Sequence, residues 1–180
     1  MSLHRIVVDS INHACAQVFS TMMGVAMAPG EPSMDTSTPD ANDGVVSLIG
    51  LAGSWTGTGS ICCSVAVACR ICSQLLMTDV PAVNEEVLDA VAELTNMIIG
   101  SVKTDLEEHL GPLGLSIPTV VYGRNFKTRS TGTPEWTTLR FDWDGDSFLV
   151  RLSLAPREQM GHTRLHAAPQ SYSLEVNSLE

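Results

Sequence analysis

Glu85-Glu86-Val87-Leu88-Asp89-Ala90-Val91-Ala92-Glu93-Leu94-Thr95-Asn96-Met97-Ile98-Ile99-Gly100-Ser101-Val102-Lys103 reads as one long helix. At about 100° per residue, Glu86, Asp89, Glu93, Asn96, Gly100 and Lys103 fall within an arc of about 100°. Val87, Val91, Leu94, Ile98, Val102 and Leu106 fill the opposite side, and Leu88, Ala92 and Ile99 widen it. A helix with so broad an apolar face is mostly buried, and its thin polar edge then faces a partner or a site. An acid and an amide three residues apart, with a glycine one turn further on, are suited to gripping a small polar group. Asn is a poor mid-helix residue because its side chain competes for backbone hydrogen bonds, so Asn96 beside Met97 and Ile98 invites a functional reason.

Outward from this helix, the spacing predicts a helix from Ile6 to Met23, stopped by Gly24, and an exposed loop over 28–44 rich in Pro, Gly, Ser, Thr and Asp. Val45–Leu51 and Gly57–Val65 read as strands joined by a turn at Gly53-Ser54-Trp55-Thr56, forming a hairpin. A helix over Ala66–Met77 leads through Thr78–Pro81 to the long helix, which runs from about Asn84 to Leu110. Gly111-Pro112-Leu113-Gly114 breaks it, Ser116–Gly123 looks extended, and Thr137–Trp143 and Phe148–Leu154 alternate around Asp144-Gly145, a strong hairpin signal. The expected fold is α+β, a mostly antiparallel sheet covered by long helices. Residues 1–155 are expected to form the domain, and 156–180 a polar, poorly ordered C-terminal tail.

Composition narrows the function classes. At 180 residues, 44% hydrophobic and 17% charged, the chain is long and apolar enough to bury a real core. Twenty acidic residues against ten basic give a formal charge of -10, which argues against nucleic acid and against an anionic membrane surface. No apolar run reaches the roughly 20 residues that span a bilayer, and no secretory signal is visible, so a cytoplasmic location is expected. The five cysteines (Cys15, Cys62, Cys63, Cys69 and Cys72) lie in apolar surroundings and read as reduced, packed thiols. Cys69-Arg70-Ile71-Cys72 has the CxxC form, but without a second pair or a nearby His it reads as part of an amphipathic helix. His162 and His166 in the tail lack the carboxylate or Cys framework of a metal site. Phosphate-loop, serine-elbow and HExxH motifs are missing from the sequence. Lys103 and Glu107 read as a surface ion pair, and Trp55, Trp136 and Trp143, near turns, as caps at the sheet's edges.

The motif Asp89-xxx-Glu93-xx-Asn96, followed by Met97-Ile98-Ile99-Gly100 and later by Leu115-Ser116-Ile117-Pro118-Thr119-Val120-Val121-Tyr122-Gly123, resembles the CheC/CheX/FliY family of chemotaxis phosphatases, with the CheX branch nearest. The resemblance runs from about Val45 to Leu154. It implies an activity on phosphorylated response regulators, hydrolysing the aspartyl phosphate of a CheY-like receiver domain. Carried onto this chain, Glu93 is the acid that contacts a lysine beside the phosphoryl group. Asn96 is the amide that enters the receiver's site and orients the attacking water, and Asp89 matches the upstream motif position in a supporting role. The Mg²⁺ would sit in the receiver, so this chain is expected to bind no cofactor of its own. The resemblance also implies a homodimer.

That chemistry has a physical basis. Phosphoryl transfer is catalysed mainly by positioning and charge stabilisation, and a water-orienting amide is one of its recurring parts. An amide donates to one oxygen and accepts from another without changing protonation. Glu93 and Asn96, at i and i+3, project together, and Gly100 leaves clearance for a partner's backbone. Some family members carry a second copy of the motif in the first helix. Aligning Gly24 with Gly100 places Gln17 opposite Glu93, Ser20 opposite Asn96 and His13 opposite Asp89, so one active stripe per chain is expected. The alternative of a different class is a non-catalytic adaptor of the same fold that binds a signalling or flagellar-switch partner. An adaptor has no need of Asn96.

Overall fold

The computed structural model describes residues 2–37, 40–129, 134–157 and 173–175. Among these residues, three helices, α1 (Leu3–Met23), α2 (Val65–Leu76) and α3 (Glu85–Leu110), cover one antiparallel sheet of eight strands. The strands are β1 (Glu31–Asp35), β2 (Asp40–Gly53), β3 (Trp55–Cys63), β4 (Leu113–Leu115), β5 (Thr119–Arg129), β6 (Trp136–Trp143), β7 (Asp146–Pro156) and β8 (Ser173–Glu175). Their order across the sheet is β1-β6-β7-β3-β2-β5-β8, with β4 also on β2. The α+β architecture and both expected hairpins are present. Asp144 (φ 52°) and Gly145 (φ 83°) both take positive φ, as the two-residue turn between β6 and β7 requires.

Local chemistry sets the helix ends. The Asn84 side chain accepts the Val87 N–H (3.0 Å) at the start of α3, and Glu85 and Glu86 place negative charge in its first turn. Gly24, with φ 65°, ends α1 in the left-handed conformation. The apolar face of α3 is the centre of the core: Val87, Val91, Leu94, Ile98, Val102 and Leu106 are all fully buried. Each such side chain contributes roughly 1.5–3 kcal/mol relative to exposure. The helix packs against both α1 and α2 and lies over β2 and β3. A Cβ at Gly59 of β3 would come within 2.9 Å of the Ile99 side chain, so the missing side chain lets α3 sit this close to the sheet. An aromatic group closes the other end of the core, with Phe19 stacked on Phe148 at 5.2 Å and edge-on to Trp143 at 5.4 Å.

Three expectations change. The segment 28–44, read as a loop, contains the exposed edge strand β1, paired with β6, and the start of β2. Glu31-Pro32-Ser33-Met34-Asp35 has no hydrophobic alternation because it lies at the rim, where polar residues and a proline are tolerated. The strand is tied down by Arg151, whose guanidinium donates to Asp35 Oδ1 (2.7 Å) and the Ser37 carbonyl (2.8 Å) and stacks on Trp136 (5.0 Å). Within the expected polar tail, Ser173–Glu175 pairs with β5 as strand β8, while His162 and His166 lie outside the described residues. Finally, the extended segment expected over Ser116–Gly123 is divided. β4 pairs with the end of β2, β5 with its beginning, and Ser116–Pro118 lies between them.

Candidate functional site

The polar edge of α3 and the break between β4 and β5 face each other. Asp89, Ala92, Glu93 and Asn96 form one wall of an open groove of about 520 Å³, and Ser116, Ile117 and Pro118 form the other. Asp89, Glu93 and Asn96 are exposed, although Leu94 and Thr95 between them are completely buried. This follows from helical period: the same turn that seats Leu94 in the core carries Glu93 and Asn96 to the rim. Thr95 avoids leaving a polar atom unpaired by donating its hydroxyl to the Val91 carbonyl at 2.7 Å. Among the described residues, neither Glu93 nor Asn96 has a side-chain hydrogen bond or ion pair, so both are free to engage a partner.

Gly100 stands one turn beyond Asn96. A Cβ there would meet only Leu115 Cδ1, at an ordinary 3.9 Å, so the fold itself has no steric need for glycine at this position. Two other members of the stripe stand apart from the groove. Glu86 is exposed in the first turn, and Lys103 pairs with Glu107 at 2.8 Å. Glu107 does more than sequence spacing indicated. Its carboxylate also accepts the Leu113 N–H (2.8 Å), fastening the end of α3 to β4. The Leu113 amide, and after it Lys103, hold this carboxyl below the usual glutamate range.

The opposing wall was missed as a set of site residues. Ser116 and Ile117 appeared only as context for the motif, yet they line the groove beside Pro118. The signal was present in Pro118, which has no N–H and cannot continue a strand ladder. The cysteines take no part: all five are free and buried. Burial pushes the Cys63 thiol up to about 12 and also raises Cys69 and Cys72, opposite to the lowered value a redox CxxC needs. Trp136 and Trp143 are buried, with the Arg151 and Arg70 guanidinium groups over their respective rings. Among the described residues, no group of three or more His, Cys, Asp or Glu side chains is placed to hold a metal, and no helix is long and apolar enough to cross a membrane.

Comparison with known proteins places this groove in a family context. The family model described as chemotaxis phosphatase CheX matches residues 45–141, more than half of the chain and inclusive of both groove walls. The chain is 30% identical over 127 residues to the CheY-P phosphatase CheX of Thermotoga maritima, covering 68% of this chain and 81% of that protein. A chemotaxis protein structure from Desulfovibrio vulgaris Hildenborough superposes with a TM-score of 0.74 at 26% identity, over 83% of this chain and 96% of the other. The fold is shared as well with the CheX chain of the CheX–CheY–BeF3–Mg²⁺ complex from Borrelia burgdorferi, at a TM-score of 0.65, 23% identity and coverage of 82% and 97%. The chain belongs to the chemotaxis phosphatase CheX family.

Proposed function

We propose that this protein is a phosphatase that hydrolyses the aspartyl phosphate of a phosphorylated CheY-like receiver domain in bacterial chemotaxis or two-component signalling. The observation that carries this reading is Asn96: an unengaged amide held on a rigid helix at the mouth of an open groove, with the Glu93 carboxylate one turn away. The Thermotoga relative named as a CheY-P phosphatase supports the substrate class, and the Borrelia structure of the same fold contains CheY and Mg²⁺.

In this reading the groove is half of a composite site. The receiver brings the phosphoryl group and a lysine. Mg²⁺ bound in the receiver supplies charge neutralisation at the phosphoryl oxygens. Glu93 meets the lysine in a charge-assisted contact, which orients the two proteins. The Asn96 amide holds a water in line with phosphorus by accepting from it and donating to a neighbouring oxygen. The water oxygen forms a bond to phosphorus as the acyl-phosphate P–O bond breaks. The electron pair leaves with the aspartate carboxylate, and inorganic phosphate carries away the water's oxygen and both of its protons. Asp89 supports the same wall, and Gly100 gives clearance to the receiver backbone. We propose also that the protein acts in the cytoplasm and pairs with a second copy, which sedimentation velocity checks as twice the chain mass.

The test is phosphate release from a phosphorylated receiver, with and without this protein. Acceleration by wild type, with Asn96→Ala reducing it by about 10²- to 10³-fold while receiver binding persists, is the expected result. Equal, unaccelerated rates for wild type and Asn96→Ala would exclude catalysis. If receiver binding still depended on Glu93, the adaptor would then be the better account.

A further inference from the structure

Between its pairings with β5 and β4, strand β2 has two residues, Ile49 and Gly50. The facing chain has three, Ser116, Ile117 and Pro118. This one-residue excess is a bulge, a device that terminates regular pairing and re-aims a side chain. Its backbone is nevertheless fastened. The Ser116 N–H donates to the Gly50 carbonyl at 2.9 Å, and the Gly50 N–H donates to Ser116 Oγ at 2.8 Å. The Ser116 hydroxyl in turn donates to the Ile117 carbonyl at 3.0 Å. Pro118 fixes the following φ and adds no free donor. Ile117 is the residue extruded by this arrangement. It is 87% exposed, on the groove wall opposite Asp89, Glu93 and Asn96.

We infer that Ile117 is an apolar anchor of the receiver-docking surface, setting affinity and partner choice through a hydrophobic patch beside the receiver's phosphorylation site. The inference rests on the proposed phosphatase reading and assigns a second contact to the same site. An isolated exposed isoleucine would need no explanation. Ile117 differs in place and in support. A domain whose phosphoryl group comes within reach of Asn96 must lie over the groove, and therefore also over the wall that carries Ile117. The hydrogen bonds at Ser116 and the ring of Pro118 have already ordered that wall, so little loop entropy is lost when a partner covers it. The two walls differ chemically, with carboxylates on the helix side and a bare hydrocarbon on the bulge side. The partner that fits them presents a cation on one side of its phosphoryl group and an apolar side chain on the other.

Steady-state hydrolysis of the phosphorylated receiver by wild type, Ile117→Ser and Ile117→Leu separates this from a purely structural role. Ile117→Ser is expected to raise KM about ten- to thirtyfold with kcat and Tm unchanged, and Ile117→Leu to restore most of the affinity. A wild-type KM in Ile117→Ser, or a fall in kcat alone, overturns the inference while leaving the phosphatase reading intact. Calorimetric binding of the beryllofluoride-activated receiver gives an answer independent of turnover. A weakened Kd for Ile117→Ser supports the anchor even if wild type proves inactive. An unchanged Kd, or no binding by wild type, removes it.

Discussion

α1 and α3 are both long helices on the same face of one sheet, and each offers the same three positions before a glycine. On α1 they are His13, Gln17 and Ser20 before Gly24; on α3 they are Asp89, Glu93 and Asn96 before Gly100. Two of the α1 side chains, His13 and Ser20, are committed. His13 Nδ1 lies 3.2 Å from Asp105 Oδ2, and the Ser20 hydroxyl donates to the Gln17 carbonyl at 3.0 Å. α1 also stops at Gly24, whereas α3 continues to Leu110 and carries its stripe along the middle of a helix opposite the bulge wall. A helix face becomes a site when its polar groups are left unspent and a second, ordered surface stands across from them.

The contrast is broken most directly by exchanging alanine at the paired amide and hydroxyl positions. Asn96→Ala should give the 10²- to 10³-fold loss proposed above, and Ser20→Ala none. A comparable loss in Ser20→Ala, by the same phosphate-release assay, would mean that α1 also works. Transplanting the motif sharpens the comparison. Gln17→Glu with Ser20→Asn, built on Asn96→Ala, should recover no measurable activity, because the wall of Ser116, Ile117 and Pro118 stands opposite α3 and not α1.

A smaller effect is expected at the glycines. Gly100→Ala replaces a costly mid-helix glycine where space exists, so it should stabilise the fold by about 0.5–1 kcal/mol and raise Tm by about 1–4 °C. If the position serves the partner, KM for the receiver rises at the same time. A stabilised variant of unaltered KM would return Gly100 to the status of a tolerated residue. The smallest effect is at Glu107, whose depressed folded pKa means that its contribution is present above the unfolded value and lost as pH falls through the folded one. The Tm advantage of wild type over Glu107→Gln should therefore hold at neutral pH and shrink from about pH 4.5 downward in a thermal-melt series.

The helices and the central strands were legible because their periodicities are long and uninterrupted. Val87, Val91, Leu94, Ile98, Val102 and Leu106 announce the buried face of α3, and the stripe opposite it contains the groove's helical wall. What escaped was irregular or marginal. β1 is exposed and polar, so no alternation marks it, and its anchor Arg151 is 116 residues away in sequence. The bulge wall escaped for a different reason. Pro118 marks a break in the ladder, but it does not say which residue is pushed out; the count of Ser116, Ile117 and Pro118 against Ile49 and Gly50 does. Pairing register belongs to the sheet as a whole, and a segment read by itself does not contain it.

The absent side chain at Gly59 has a reach beyond packing. Ile99, whose side chain occupies that space, is three residues from Asn96, so the depth of α3 on the sheet sets the height of the amide at the groove. Position 59 acts as a shim beneath the site. A single methyl inserted there would lift one wall relative to the other without touching any groove residue. Variation that retunes or silences such a protein can thus enter from the concealed side of the sheet, leaving every motif residue in place.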